Sequence, residues 1–537
     1  MHSASPKAPR FTLLRLILLG AAIALLFDIA LYQIFYFGLQ RQDQTWLLYA
    51  AARVLDGTQL YGPRLVETNP PLIIWLSTLP AWLAIHLHLQ PLLVLQSLVT
   101  LLIVLSSVWS VRILRAAGVL RGRTATLAAF AALLVAQTWV RDVDFAEREH
   151  ILLPLLLPYL FASFFQLSAS LGLTERIALG LTAGLSACIK PQYALIPLGT
   201  ELFLALWYRQ PRRLWRPELL ALILTGLAYI AAVRYITPLY FTQIVPILRD
   251  AYPTYRGNHP ILAVMFNRPV YDLLFFATLL AWIVYRRSLR YPVAPIALLA
   301  ATFFATLAFG IQRTGWPYQT VPRNALLLAA ILWLVTELSA PAIARLQPDK
   351  HFRLLSTVAI LFVVLPASLF ALKRIRHGRN TGVPTLEQRT YASLPPGTTV
   401  YVLSTNFYNF SDVVHDHLLW GGRYVHLFML PAIVLNENAE AGGPPAIAPL
   451  PPARVQQLAT LLRSNVADDL HTFAPTVVFV EHCDPITHPC FALENLSFDT
   501  LAWFQRSPAF AAEWHNYRLQ QTALDFDVYT RTSPSSH

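Results

Sequence analysis

Residues 40–75 read QRQDQTWLLYAAARVLDGTQLYGPRLVETNPPLIIW. The stretch follows the first long apolar run of the chain and carries Asp43, Asp56 and Glu67. Carboxylates set between apolar segments need either water or a buried partner. The stretch therefore reads as a loop leaving a membrane. The composition agrees, since 55% of the 537 residues are hydrophobic and 13% charged. A soluble chain carries about 25% charged residues. The mean hydropathy of +0.48 belongs to a polytopic membrane protein.

The formal net charge is +12, and much of it falls in short clusters between apolar runs. That is the pattern of basic loops held in the cytoplasm, so nucleic acid is excluded as a partner and membrane lipids are expected. Placing each basic cluster inside gives a path. A retained signal-anchor, Leu16–Phe37, exits, and Pro70–His88 is too broken by Pro80 to be a clean span. Leu92–Val111 enters toward Arg112, Arg115, Arg121 and Arg123. Thr124–Val140 exits, delivering RDVDFAEREH (141–150) outward, and Ile151–Leu171 returns. Ile177–Trp207 is long for one span and has basic flanks at both ends. Two half-spans meeting at Lys190-Pro191 satisfy both, because proline removes a helical N–H and drives the residue before it out of the helical region. Leu219–Ile236 then exits, Tyr271–Tyr285 enters, Val293–Phe309 exits, Ala325–Leu338 enters and Leu354–Leu372 exits.

The predicted fold class is a polytopic α-helical membrane protein of about 11 transmembrane helices, each about 20 residues. Residues 1–372 form this domain, including a first outward loop at 38–90. Residues 373–537 form an outward α/β domain. Within it, TTVYVLS (398–404), PTVVFVE (475–481) and LDFDVYTR (524–531) read as strands. PARVQQLATLLRSNV and FDTLAWFQRSPAFAAEWHNYR read as amphipathic helices. Cys483 and Cys490, in EHCDPITHPC, are the one close cysteine pair. They suit a local disulfide outside the cytoplasm. With His482 and His488 beside them they also suggest zinc, although the spacing fits no common finger.

Four outward segments share one membrane face on this path. They are residues 40–75, RDVDFAEREH, the Lys190-Pro191 turn and GIQRTGWPYQTVPRN (310–324). Such a set suits glycosyl transfer from a polyprenyl-phosphate-linked sugar. A carboxylate takes the proton of an acceptor hydroxyl, cations stabilise the departing phosphate, and aromatic rings stack on sugar or lipid. A lipid-borne donor needs no nucleotide fold, and no P-loop or GxGxxG run is present.

The first loop resembles that of the GT-C glycosyltransferases, the superfamily of the protein O-mannosyltransferases and the lipid A aminoarabinose transferases. Asp43, Gly57, Glu67, Pro70, Pro71, Leu72 and Trp75 follow that family's order. GLSACIKPQYALIPL is similar to its short Lys-Gly-Pro-centred helices. The resemblance implies Asp43 as catalytic base with Glu67 in support, an inverting transfer of one sugar, and a lipid, glycan or protein acceptor at the periplasmic face of a bacterial inner membrane. Contacts to donor phosphate or substrate are expected from Lys190, Tyr193, Asp144, Glu147, Arg148, Glu149, His150, Arg256, Arg268, Arg313, Trp316, Tyr318 and Gln319. Gln44 stands where many members have a second acidic residue, which leaves a divalent metal ion as a candidate cofactor without an assigned site.

Plainer roles stand beside these. Asp43 also suits a helix N-cap, Asp56-Gly57 a turn, Glu147 a local ion pair with Arg148, and Lys190 a snorkelling lysine. Trp316 and Tyr318 also suit an interfacial belt. Trp420 and Arg423 suit core packing, and Asp412, His415, Asp416 and His417 a solvated loop. Two further function classes are a secondary transporter, for which broken helices are typical, and a non-catalytic membrane assembly protein.

Overall fold

The computed structural model describes residues 42–138, 144–166, 171–257, 259–345, 386–406, 410–523 and 525–532. The expected spans Leu16–Phe37 and Leu354–Leu372 lie outside these residues. The chain forms two compact units. The first is made of 1–37, 95–230 and 261–380, the second of 38–94, 231–260 and 381–537. The sequence reading placed residues 38–90 with the membrane helices, whereas by contacts they group with the C-terminal fold.

The first unit is a helical bundle. Among the described residues four helices are long and apolar enough to cross a membrane: Pro91–Ala116, Pro217–Ile236, Val293–Gln312 and Pro317–Leu338. Large apolar side chains such as Leu224, Leu227, Leu273 and Leu280 point away from the protein. In water each would forfeit about 1.5–3 kcal/mol of burial, so these are the faces that lipid covers. The helix Arg148–Phe164 has the opposite character. All its residues but Leu155 are buried, and it holds Pro154 and Pro158. It is the core of the bundle rather than its lipid-facing wall.

The break at Lys190-Pro191 is present. Leu173–Ile189 ends where Lys190 turns to an extended backbone at φ −147° and ψ 96°. A 3-10 turn, Pro191–Ala194, follows, and Leu195–Trp207 completes the run. Close packing fixes the partners of these half-helices. A Cβ at Gly180 would lie 2.1 Å from the Glu218 carbonyl oxygen, and one at Gly184 2.5 Å from Thr225 Cβ. Only glycine permits so near an approach to the Pro217–Ile236 helix.

The second unit is built on a six-stranded sheet. Its strands are β1 (Thr399–Leu403), β2 (Leu419–Trp420), β3 (Val477–Cys483), β4 (Phe498–Asp499), β5 (Tyr517–Thr522) and β6 (Phe526–Arg531). The order is β2-β1-β3-β6-β5, with β4 paired to β3. The first two pairings are parallel, and β3–β6 and β5–β6 are antiparallel. The helices Leu430–Glu440 and Pro452–Phe473 connect β2 to β3. The stretch expected as one helix from FDTLAWFQRSPAFAAEWHNYR is instead Thr500–Gln505 and Pro508–Trp514, flanked by strands. Pro508 cannot continue a helix but is well placed to begin one.

Cys483 and Cys490 are joined in a disulfide. Glu481, His488 and Cys490 lie close enough to hold a metal, but a disulfide sulfur is not a thiolate, so this trio lacks its soft ligand. The zinc reading of EHCDPITHPC is thereby corrected to a staple. His488 instead faces Glu481 at 3.5 Å, whose carboxylate holds the imidazole above its ordinary range. Closing so short a loop stabilises a fold by about 2 kcal/mol. The double variant Cys483→Ser/Cys490→Ser is accordingly expected to lower the unfolding midpoint of the second unit by several degrees. Differential scanning calorimetry with and without reductant checks this, and reductant should not move the variant.

Candidate functional site

Within the first unit three of the four segments expected to share one membrane face meet. The turn after residue 143 is pinned by His150. Its Nδ1 accepts from the Ala146 amide at 3.0 Å and its Nε2 lies 2.6 Å from the Gln137 carbonyl. That contact fixes the proton on Nε2, so the ring is a neutral structural element. Asp144, Glu147, Arg148 and Glu149 are all buried in this corner. Glu149 is fully enclosed and binds the Lys190 ammonium. Its second oxygen, Oε2, has no hydrogen-bond partner among the described residues. Arg148 Nε sits 3.7 Å from Glu147.

The 310–324 segment closes over this group. The Tyr318 ring lies 5.3 Å from Lys190 Nζ and 5.6 Å from the Arg148 guanidinium. Cations over an aromatic face gain about 0.5–2 kcal/mol, most where water is excluded. Tyr193 is buried and donates to the Gln319 carbonyl at 2.7 Å, while its oxygen accepts from Gln312 at 3.3 Å. Thr314 holds the Gln319 side chain at 2.9 Å. Trp316 stacks obliquely on Tyr318 at 5.9 Å, and Arg313 takes a left-handed backbone, φ 60°, that reverses the chain after the Val293–Gln312 helix. The convergence of RDVDFAEREH, KPQY and GWPYQ expected from sequence is thus present in side-chain contacts. What differs is the state of Lys190. It is already neutralised by Glu149, so it is not a bare cation waiting for phosphate.

A second feature of the same unit was not legible in the sequence. Phe266, Tyr271, Asp272, Phe275, Phe303 and Arg323 are among the residues lining a small open cleft with room for about one water molecule. Arg323 is 3% exposed. Its Nη1 donates to the Met265 carbonyl at 3.0 Å and lies 3.7 Å from Asp272. Its Nη2 has no partner among the described residues. Asp272 also accepts from the Arg268 amide at 3.1 Å. Phe275 lies about one turn beyond Asp272, and Leu327 one turn beyond Arg323, so the cleft runs from a polar head along apolar walls.

A third buried group of the first unit consists of Glu201 with Tyr159, Ser163, Arg213 and Arg216. Tyr159 donates to Glu201 Oε1 at 2.9 Å, Ser163 at 2.5 Å and Arg216 at 2.5 Å. Arg213 donates to the Ser163 carbonyl at 2.7 Å. This network ties the 211–216 turn to the core helix, with Glu201 Oε2, Arg213 Nε and Arg216 Nη1 left without a hydrogen-bond partner among the described residues. It occupies the far end of Arg148–Phe164 from Glu149, about 21 Å away at 1.5 Å per residue.

The second unit holds the other candidate carboxylates. Asp43 lies in the first turn of the Gln42–Leu55 helix, inside the helix rather than at the cap. A negative charge there is favoured by the helix dipole. Three residues on, Trp46 faces the same side and donates from Nε1 to Glu67. Glu67 is 2% exposed and saturated. Oε1 accepts from the Thr68 amide at 2.8 Å, the Asn69 amide at 2.7 Å and Asn69 Nδ2 at 2.6 Å. Glu67 therefore acts here as the anchor of its own loop. Tyr61 donates to the Asn69 carbonyl at 2.5 Å and packs on Tyr240. Burial, with Glu67 adding to it, pushes the Tyr240 hydroxyl up to about 12. Asp56-Gly57 is a turn, with Gly57 at φ 86°. Arg256 is exposed. In the C-terminal fold Trp420 and Arg423 are buried, as packing would have them.

No family model matches the chain, and no curated protein matches its sequence. Among solved structures, the protein is similar to ArnT from Cupriavidus metallidurans bound to undecaprenyl phosphate, at 11% identity and a TM-score of 0.49 over 97% of this chain and 98% of that one. The apo form of the same ArnT gives 12% identity and a TM-score of 0.48 over 96% and 97%. The oligosaccharyltransferase of Archaeoglobus fulgidus, in complex with Zn and sulfate, gives 12% and 0.43 over 94% of this chain and 73% of that one.

Proposed function

We propose that the protein is a GT-C-type glycosyltransferase of a bacterial inner membrane. It moves one sugar from a polyprenyl-phosphate-linked donor to an acceptor hydroxyl at the periplasmic face, with inversion at the anomeric carbon. Asp43 removes the acceptor proton as the hydroxyl attacks that carbon, and the sugar–phosphate bond breaks with its electrons going to the polyprenyl phosphate. The leaving group is a phosphate and needs no proton.

The observation that carries this reading is the cleft with Arg323 at its polar end. An anionic head group would satisfy the unpartnered Nη2, and a hydrocarbon tail would run over the exposed Phe266 and Phe303 beside it. The Glu149–Lys190–Tyr318 group adds one element a sugar needs, an aromatic surface held by two cations. On this reading Arg323, with Arg268 near the mouth, meets the phosphate, and Lys190 holds Glu149 and Tyr318 in place.

The test uses the full-length protein in lipid nanodiscs with a panel of synthetic polyprenyl-phosphate sugars and envelope extracts as acceptors. Mass spectrometry should find a covalent sugar–acceptor product together with free polyprenyl phosphate in one-to-one yield. A solute accumulated in sealed proteoliposomes without covalent product would overturn the assignment in favour of a transporter.

A further inference from the structure

We propose that the C-terminal α/β fold is a positioning frame for the Asp43 helix and the Glu67 loop, with Arg423 and Asp469 as its positioning residues. The catalytic part of this inference rests on the reading of Asp43 as the base; the mechanical part does not.

Two sets of contacts carry it, both within the second unit. The first holds the helix. The Ser411 amide donates to Gln42 Oε1 at 3.0 Å, and the Trp420 amide donates to the Tyr49 hydroxyl at 3.2 Å. Between these bonds Phe410 makes edge contacts with Trp46 at 5.3 Å, Tyr49 at 5.6 Å and Trp420 at 5.2 Å. Two turns of the helix that begins beside Asp43 are thus gripped by residues more than 360 positions later in the chain. The same Trp46 ring donates to Glu67, so helix and loop move together.

The second set holds the loop. The Val66 amide donates to the Arg423 carbonyl at 2.8 Å, immediately before Glu67. Arg423 is itself immobilised. Its Nε donates to Asp469 at 2.7 Å, its Nη1 to Asn465 at 3.1 Å, and its Nη2 to Asp468, while its amide reaches Asp469 at 3.1 Å. Residues 465, 468 and 469 lie within about one turn on the Pro452–Phe473 helix, so the guanidinium clamps the 421–423 strap to a single helical face. Tyr401 of β1 donates to the same Asp469 at 3.2 Å. The strap can lie this low because residues 421 and 422 are glycines. A Cβ at Gly422 would stand 2.2 Å from the Tyr401 ring, and one at Gly421 2.9 Å from Pro475 Cβ. A domain that merely hung from the membrane part would not spend a buried arginine and a glycine pair on one backbone carbonyl.

The experiment is hydrogen exchange and steady-state transfer on the full-length protein in nanodiscs. Arg423→Gln should speed exchange of the amides of residues 64–69 by about tenfold or more, leaving β3 and β6 protected. It should lower kcat by about tenfold or more while the donor KM stays put, because the loss is one of alignment rather than of donor contact. If that variant does not fold, Gln42→Ala/Tyr49→Phe cuts the frame from the helix side and removes no bond between strands. It should speed exchange of residues 42–55 selectively. Unchanged exchange across 42–69 in a folded variant overturns the proposal, as does a loss of transfer that appears only in the acceptor KM. Faster exchange in a protein that transfers no sugar even as wild type would keep the frame and overturn the proposed glycosyl transfer.

Discussion

Asp43→Asn should abolish sugar transfer while leaving the protein folded. A positioned general base contributes about 10²- to 10⁴-fold, so the variant is expected to lose at least about a hundredfold in kcat with an unchanged donor KM. The substitution is nearly isosteric, and the side chain is only half-buried in the first helical turn. The lost dipole interaction is worth about 0.3–1 kcal/mol. Glu67→Gln should behave in the opposite way. Its oxygens receive the Trp46 indole, two amides and an Asn69 amino group, so the change breaks the loop anchor and costs stability as well as rate. Measuring kcat, KM and the unfolding midpoint for both variants separates the base from its scaffold. Retained transfer in a well-folded Asp43→Asn protein would remove Asp43 from the mechanism.

The contrast between these carboxylates marks what the sequence could convey. Asp43 and Glu67 were visible because both are rare charges in a hydrocarbon-rich chain. Their different states were not visible, because Glu67 is saturated by Trp46, 21 positions away, and by backbone amides that no side-chain pattern reveals. The break at Lys190-Pro191 was legible for a local reason, since proline carries its own backbone constraint. Strands β1, β3 and β6 were legible as runs rich in valine, phenylalanine and tyrosine. The β5 strand YRLQQT was not. It sits at the sheet edge with five of its six residues exposed, and an edge strand needs no apolar alternation. β2 is two residues long and has no period to detect.

Long-range ion pairs were hidden for the same reason. Arg216 with Glu201 and Arg323 with Asp272 are each separated by enough chain that only the packed bundle brings them together. Taken in sequence, Arg213 and Arg216 look like one more cytoplasmic basic cluster, and Asp272 like the solvated start of a span. Burial changes their meaning, because an ion inside a helical bundle is retained only with a partner. The grouping of 38–94 and 231–260 with the C-terminal fold follows the same logic. The Tyr255 hydroxyl donates to the Phe428 carbonyl at 3.2 Å and Arg454 pairs with Asp250 at 2.7 Å, contacts that join distant loops without a local signature.

Arg323 gives the second large effect, and its test must separate binding from folding. Arg323→Ala leaves the half-buried Asp272 without its cation, and the cost approaches the ~3–5 kcal/mol of a broken buried pair only as far as Asp272 is shielded from water. Loss of activity in that variant alone would say little. The paired change Arg323→Met/Asp272→Asn removes both charges and keeps the volume of the cleft, and such replacements are often neutral for stability. If Arg323 meets the donor phosphate, the double variant should fold with a near-native midpoint, while its donor KM rises by about tenfold or more. A charge-assisted hydrogen bond of about 1.5–3 kcal/mol, tenfold per 1.4, sets that scale. Binding of unlabelled polyprenyl phosphate, read by native mass spectrometry, should weaken in parallel, and binding of an uncharged polyprenol should not. The electrostatics favour this outcome. Arg323 stands three residues into the Val321–Arg345 helix, where the dipole opposes a cation and welcomes an anion. Asp272, 3.7 Å away, answers one side of the guanidinium and leaves Nη2 for a ligand. An unchanged donor KM in the folded double variant would place the phosphate elsewhere and return the assignment to the Arg148–Lys190 pair over Tyr318.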